Sequence, residues 1–143
     1  GYIAKGVEEG ATLALGGGRP ADLPTGWYVE PTMFVDVESS MTIAQEEIFG
    51  PVLVVIPFDD DEDAVRIAND SRYGLGGGVY SGSLDRSLAV ARRIRAGMVS
   101  VNGGGPYGPD MPFGGYKFSG IGRQNGTAGF DQYLETKSVA WPA

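Results

Sequence analysis

The sequence predicts an α/β fold with a partly parallel sheet and crossover helices. Two observations carry this. Between residues 52 and 101, short apolar runs (52–56, 77–80, 98–101) alternate with helical patterns (59–70, 83–96). Strand–helix–strand–helix–strand order with short loops calls for parallel strands joined by right-handed crossovers. The 24 glycines, in turn, fall in punctuating clusters such as Gly76-Gly77-Gly78 and Gly103-Gly104-Gly105 and form no low-complexity tract. Clusters of that kind mark tight turns and close backbone contacts within a folded domain.

Each element has its own justification. Ile3 and Val7 have helical spacing and Gly10 terminates the pattern. No N-cap precedes them, so the segment reads as a helix cut partway along, and the chain as a fragment. Residues 11–15 read as a short strand and 20–26 as a loop. Aromatic and β-branched residues predict strands at 27–29 and 32–37, with Pro31 as a bend between them. The run 52–56 is bounded by turn residues and reads as a strand buried on both faces. Residues 59–70 form a helix with an acidic first turn, as the helix dipole favours, and with Val65 and Ala68 on one face. Leu84, Leu88, Ala91 and Ile94 stripe the helix 83–96, which Gly97 stops. The stretch 103–126 is a long Gly/Pro-rich loop of the kind that is usually functional. Its Phe113, Tyr116 and Phe118 argue against disorder. Residues 127–132 read as a short helix and 133–141 as a final strand, which needs a partner edge that another subunit can supply.

Composition excludes several functions. A net charge of −7 argues against a nucleic-acid surface, which needs clustered Lys and Arg. Arg86, Arg92, Arg93 and Arg95 do cluster, at the spacing of a solvated helix face. No apolar run approaches the ~18–20 residues of a membrane-spanning helix. No signal or transit peptide is visible, so a cytoplasmic protein without a membrane partner is expected. The chain has no cysteine and no histidine. Disulfides, thiolate zinc sites, cysteine nucleophiles and Ser-His-Asp triads are therefore excluded within it. Its chemistry falls to carboxylates, Lys, Tyr or groups supplied from elsewhere.

Among the motifs, Gly103-Gly104-Gly105-Pro106-Tyr107-Gly108 matches G-x-G-x-x-G and follows a strand. The dinucleotide fingerprint also needs a helix opening at the loop, which Pro106, Pro109 and Pro112 forbid. Asp59, Asp61, Asp63 and Asp70 fall on calcium-loop spacing. Ala64 stands where that loop demands Gly, so an acidic helix N-terminus is the better reading and no metal site is expected. The sequons at Asn69 and Asn125 are short enough to occur by chance. Most informative is Gln45-Glu46-Glu47-Ile48-Phe49-Gly50-Pro51, where two carboxylates and an aromatic ring stand at the mouth of a strand. A glycosidase sets two carboxyls about 5–9.5 Å apart across a sugar. Adjacent residues of an extended chain point to opposite sides, so a solvated pair competes with any catalytic one.

Four stretches, in order and spanning nearly the whole chain, resemble the NAD(P)-dependent aldehyde dehydrogenase family. Gly26-Trp27-Tyr28-Val29-Glu30-Pro31-Thr32 resembles its G-x-[YF]-[YFV]-x-P-T segment, and Glu46-Glu47-Ile48-Phe49-Gly50-Pro51-Val52 its E-E-x-F-G-P-V motif. Tyr73-Gly74-Leu75 through Asn102 resembles Y-G-L … A-G-x-x-x-[VI]-N. Pro112-Phe113-Gly114-Gly115-Tyr116-Lys117-Phe118-Ser119-Gly120-Ile121-Gly122-Arg123 resembles P-F-G-G-x-K-x-S-G-x-G-R. The resemblance implies that Glu47 hydrogen-bonds the nicotinamide ribose of NAD or NADP and that Phe49 packs beside the nicotinamide. Phe113 and Tyr107 would line the substrate tunnel. Asn102, Lys117 and Arg123 would anchor loops, and Glu46 would be structural or solvated.

The family's cysteine nucleophile, general-base Glu and Rossmann-like cofactor domain have no counterpart here. No catalytic residue is expected within the chain, and the chain alone is expected to be inactive. By the same resemblance, residues 1–132 are the C-terminal part of the catalytic domain and 133–143 an oligomerisation strand. The parent would act on a small-molecule aldehyde substrate as a homo-oligomer, a dimer or tetramer. Two other readings stay open: an assembly module acting through its last strand, and a small hydrolase using Glu46 or Glu47.

Overall fold

The first helix, α1 (Tyr2–Glu8), ends where Gly10 predicts. Gly10 takes the left-handed conformation (φ 98°), its N–H reaches the Val7 carbonyl, and the Ala11 N–H reaches that of Gly6. This paired closure satisfies carbonyls that a helix end otherwise leaves open. A computed structural model describes residues 1–105 and 108–142, which divide into two units, Gly1–Asp70 and Ser71–Ala143.

The N-terminal unit is built on a three-stranded mixed sheet ordered β1 (Thr12–Leu15), β2 (Thr32–Val35), β3 (Val52–Val54). β1 runs antiparallel to β2, with an irregular register between Leu13 and Leu15, whereas β3 runs parallel to β2. The core packs against this sheet: Phe34 is wholly buried, with Ala11, Val37 and Ile43 around it. Ile43 comes from α2 (Thr42–Gln45), a four-residue helix that sequence reading does not anticipate. Thr32 is the buried polar member, and it is satisfied: its hydroxyl donates to the Glu30 carbonyl (2.8 Å) and accepts from the Gly17 amide (3.0 Å). α3 (Asp61–Asn69) begins at Asp60, whose carboxylate accepts from the Asp63 amide. The acidic run is thus a helix start, as expected.

The C-terminal unit holds a parallel pair, β4 (Gly76–Val79) and β5 (Met98–Val101), joined through α4 (Leu84–Ala91). Ser83 caps α4 by accepting from the Arg86 amide. The helix is shorter than the predicted 83–96 because its last turn tightens: the Arg93 and Ile94 amides reach back only three residues, to Val90 and Ala91. A 3₁₀ turn (Lys117–Ser119) and α5 (Gly126–Asp131) follow.

An α/β architecture with mixed and parallel sheets is therefore present. β3 belongs to the three-stranded sheet of the N-terminal unit, and β4 and β5 form a pair in the C-terminal unit. Two expectations need correction. β3 is not buried on both faces. Val52, Val54 and Ile56 pack on the core while Leu53 and Val55 are exposed, because only one side of β3 meets the core. Residues 27–29 form no strand, and Trp27 lies open to solvent. Residues 135–142 have no regular structure in the single chain. The strand expected at 133–141 needs an adjacent edge from another subunit to satisfy its backbone.

Candidate functional site

The acidic segment follows directly from α2. The chain leaves that helix at Glu46 in an extended conformation (φ −108°, ψ 150°). Extended backbone alternates sides, and residues 46–49 divide accordingly. Glu46 accepts a hydrogen bond from the Tyr2 hydroxyl (2.8 Å), and Ile48 packs against the core. Glu46, like Glu47 and Phe49, is exposed, but it is held by Tyr2, whereas Glu47 and Phe49 stand two positions apart, Phe49 91% exposed. The Glu47 carboxylate has no partner among the described residues. Beyond Phe49 the turn closes locally, with the Gly50 amide on the Ile48 carbonyl, and the Thr32 amide fastens Pro51 to β2.

Three polar contacts hold the base of this segment. The Glu9 carboxylate grips the start of α2, accepting from the Thr42 amide (2.7 Å) and the Thr42 hydroxyl (2.6 Å). These bonds, the hydroxyl's first, hold the Glu9 carboxyl below the usual carboxylate range. At the end of α2, the Gln45 side-chain amide donates to the Ser39 and Asp70 carbonyls, each at 2.7 Å. The third contact is Tyr2 on Glu46. The motif pointed to none of these partners. Two of them, Tyr2 and Glu9, lie over 30 residues away in sequence, and no local spacing rule reaches that far.

Ligands of open parallel sheets sit at the carboxyl ends of strands, whereas this segment precedes the amino end of β3. The rule concerns open parallel sheets, and β3 is the last strand of a mixed one, ordered β1-β2-β3 with β1 antiparallel.

In the C-terminal unit, Asn102 closes β5 in the left-handed region (φ 49°). Its side chain accepts from the Ser81 amide (2.9 Å) and donates to the Ser81 carbonyl (3.1 Å), tying the ends of both strands together as expected. Phe113 is half-buried, and its backbone exchanges two hydrogen bonds with Gln124 (2.8 and 2.7 Å). It borders a cavity of about 320 Å³, with Leu75, Ile121, Arg123, Gln124 and Tyr133 among its walls. Lys117 donates to the Ser71 carbonyl (2.7 Å). Arg123 donates to the Gly115 carbonyl (3.0 Å) and lies over the Tyr116 ring. Both basic residues thus anchor loops. Tyr107 lies outside the described residues.

The expected site residues are therefore distributed: Glu47 and Phe49 stand together in the N-terminal unit, and Phe113 stands in the C-terminal one. Among the described residues no cluster of three acidic side chains could hold a metal, and no helix is long and apolar enough to cross a membrane.

Comparison with known proteins decides the family. The model of the aldehyde dehydrogenase family matches residues 1–139. The chain belongs to the aldehyde dehydrogenase family. A curated family member from Staphylococcus saprophyticus is 54% identical over 140 residues, which is 97% of this chain and 29% of that protein. A Mycobacterium tuberculosis aldehyde dehydrogenase, crystallised with NAD+, superposes with a TM-score of 0.91 at 52% identity. That match covers 99% of this chain and 29% of the other. An aldehyde dehydrogenase of Pseudomonas syringae, crystallised with NAD+ and octanal, matches with a TM-score of 0.88 at 52% identity, over 94% of this chain and 28% of the other. The chain thus spans less than a third of the length of these aldehyde dehydrogenases.

Proposed function

We propose that the protein carrying this chain oxidises an aldehyde to a carboxylic acid with NAD(P)+, through a cysteine thioester. In that protein, Glu47 and Phe49 form part of the cofactor wall and Phe113 and Tyr107 line the substrate tunnel. The observation that carries this is the exposed pair Glu47 and Phe49, set on a segment whose alternate residues, Glu46 and Ile48, are anchored. An unpartnered carboxylate offers two oxygens to a ribose diol, and an uncovered ring offers a flat apolar face to a flat heterocycle. The donor set therefore fits a dinucleotide. When bound, that cofactor supplies the hydride acceptor, while this chain orients it.

The cysteine nucleophile must come from outside these residues, since the chain contains none. The 143-residue chain alone is accordingly expected to produce no NADH from an aldehyde, and steady NADH production by it would overturn the reading. In the intact protein, Glu47→Gln and Phe49→Ala are each expected to lower kcat/KM for the cofactor by about tenfold or more. Unchanged values would remove both residues from the site.

Residues 133–143 support a second part of the reading, in which this segment adds a strand to another subunit and makes the protein a homo-oligomer. Tyr133, Val139 and Trp141 are all strongly exposed there. Deleting 133–143 is expected to lower the molecular mass of the assembly, and an unchanged oligomer would exclude this role.

A further inference from the structure

We propose that Gln45 is a positioning residue for Glu47 and Phe49, fixing the backbone on which both stand. The proposal rests on the reading that those two side chains contact a dinucleotide.

The argument starts from what holds the segment. Between the end of α2 and Pro51, where the Thr32 amide ties the chain to β2, residues 46–50 have no ladder partner. Their backbone bonds are local ones, from the Glu46 amide to Thr42 and from the Gly50 amide to Ile48. Side chains must therefore set the direction in which residues 47–49 leave the helix. Gln45 is the last residue of α2, two positions before Glu47. Its amide nitrogen carries two N–H groups, and both are used, one on the Ser39 carbonyl and one on that of Asp70. Asp70 terminates α3, and Ser39 lies in the turn that enters α2. The Ser39 hydroxyl in turn donates to the Asp70 carboxylate (2.6 Å), so the two anchoring strands of chain are also joined to each other.

Gln45 thus ties the exit of a single-turn helix to the end of a longer one. A four-residue helix has too few internal bonds to hold its own axis. Glu9 and the buried Ile43 hold the start of α2, so release from these two carbonyls frees its exit, and Glu47 and Phe49 shift with it. Contacts to a ribose and a flat ring depend on sub-ångström placement, so loss of this support should appear in cofactor binding before it appears in chemistry on the aldehyde.

The test uses the intact protein that carries this chain. Gln45→Met keeps the length and removes both donors, while Gln45→Lys restores donors at a similar reach. The expected result is a rise of about tenfold in the NAD(P)+ dissociation constant for Gln45→Met, with the KM for aldehyde unchanged and binding largely recovered in Gln45→Lys. Unchanged cofactor affinity in Gln45→Met would overturn the proposal. So would a parallel loss of thermal stability, aldehyde KM and cofactor affinity that Gln45→Lys fails to recover, since that pattern marks a general structural role. Glu47→Gln and Phe49→Ala, measured alongside, separate the two levels. If they weaken cofactor binding and Gln45→Met does not, only the positioning role fails. If they too leave binding unchanged, the reading of the site fails and the positioning role with it.

Discussion

The two units of this chain are held together by different forces. The N-terminal unit has a conventional apolar core, with Phe34 wholly buried among Ala11, Val37 and Ile43. The C-terminal unit contributes only Met98 to the buried apolar residues described. It relies on side chains that reach backbone: Asn102 on Ser81, Lys117 on Ser71, Arg123 on Gly115, and the Ser119 hydroxyl on the Gly74 amide. Glycines let those backbones approach. At Gly97 an added Cβ would land on the Gly114 carbonyl. Apolar burial tolerates small changes of shape, whereas a contact between backbones leaves no side chain to give way.

The largest effect should come from emptying the core. Phe34→Ala is expected to cost about 3–5 kcal/mol, through lost transfer energy and an unfilled cavity. Hydrogen exchange read by mass spectrometry should show the loss of protection within residues 1–70. Protection falling equally in 71–143 would mean the units do not melt separately. The converse probe is Gly97→Ala, expected to cost about 1–3 kcal/mol because the carbonyl of Gly114 must move. Here the lost protection should concentrate in residues 71–143. A neutral Gly97→Ala would show that the close approach does not hold that unit together.

A smaller effect separates conformation from hydrogen bonding at Asn102. Asn102→Ala removes the Ser81 pair and leaves a side chain in the left-handed region, for an expected cost of about 1–2 kcal/mol in thermal or urea unfolding. Asn102→Gly removes the same bonds without the strain and should cost less. Equal losses would assign the whole effect to the Ser81 bonds.

The contrast between the units also explains what the sequence could show. The parallel pair β4–α4–β5 was legible because it closes on itself between Gly76 and Val101, with a striped helix between two short strands. The starts of α3 and α4 were legible from an acidic first turn and an apolar stripe, and the structure adds the caps that fix them, Asp60 and Ser83, each three residues from its amide. α2 was not legible. Its four residues have no cap of their own, and the groups that fix it, Glu9 and the carbonyls that Gln45 reaches, are placed by tertiary structure. The exposure of Leu53 and Val55 was hidden for a related reason. An apolar run reports that both faces suit burial, and says nothing of which neighbours a stretch of 143 residues provides. For the proposed site, Glu47 and Phe49 were named through resemblance. The Tyr2 bond that divides Glu46 from Glu47 appeared only in the structure.

The smallest expected effect is one of pH, and it belongs to the N-terminal unit alone. Glu9 is held below the usual carboxylate range chiefly by the Thr42 hydroxyl, with help from the Thr42 amide and Lys5. Its folded value therefore lies below the unfolded one, near about 4.3. Between the two values the unfolded chain binds more protons, so stability falls as pH falls. The contribution of Glu9 is complete above about pH 4.3 and is lost as pH drops through the lower, folded value. Asp63 is shifted in the same direction by Arg66, so the comparison must be made against a variant that keeps Asp63. Glu9→Gln does so. The gap in unfolding midpoint between wild type and Glu9→Gln should be widest near neutral pH and should narrow steadily below about pH 4.3. A gap that stays constant down to pH 3 would show that the Glu9 charge contributes nothing to the grip on Thr42. A narrowing gap, with exchange in residues 42–49 rising in step, would show that this carboxylate helps fix the helix from which Glu47 and Phe49 project.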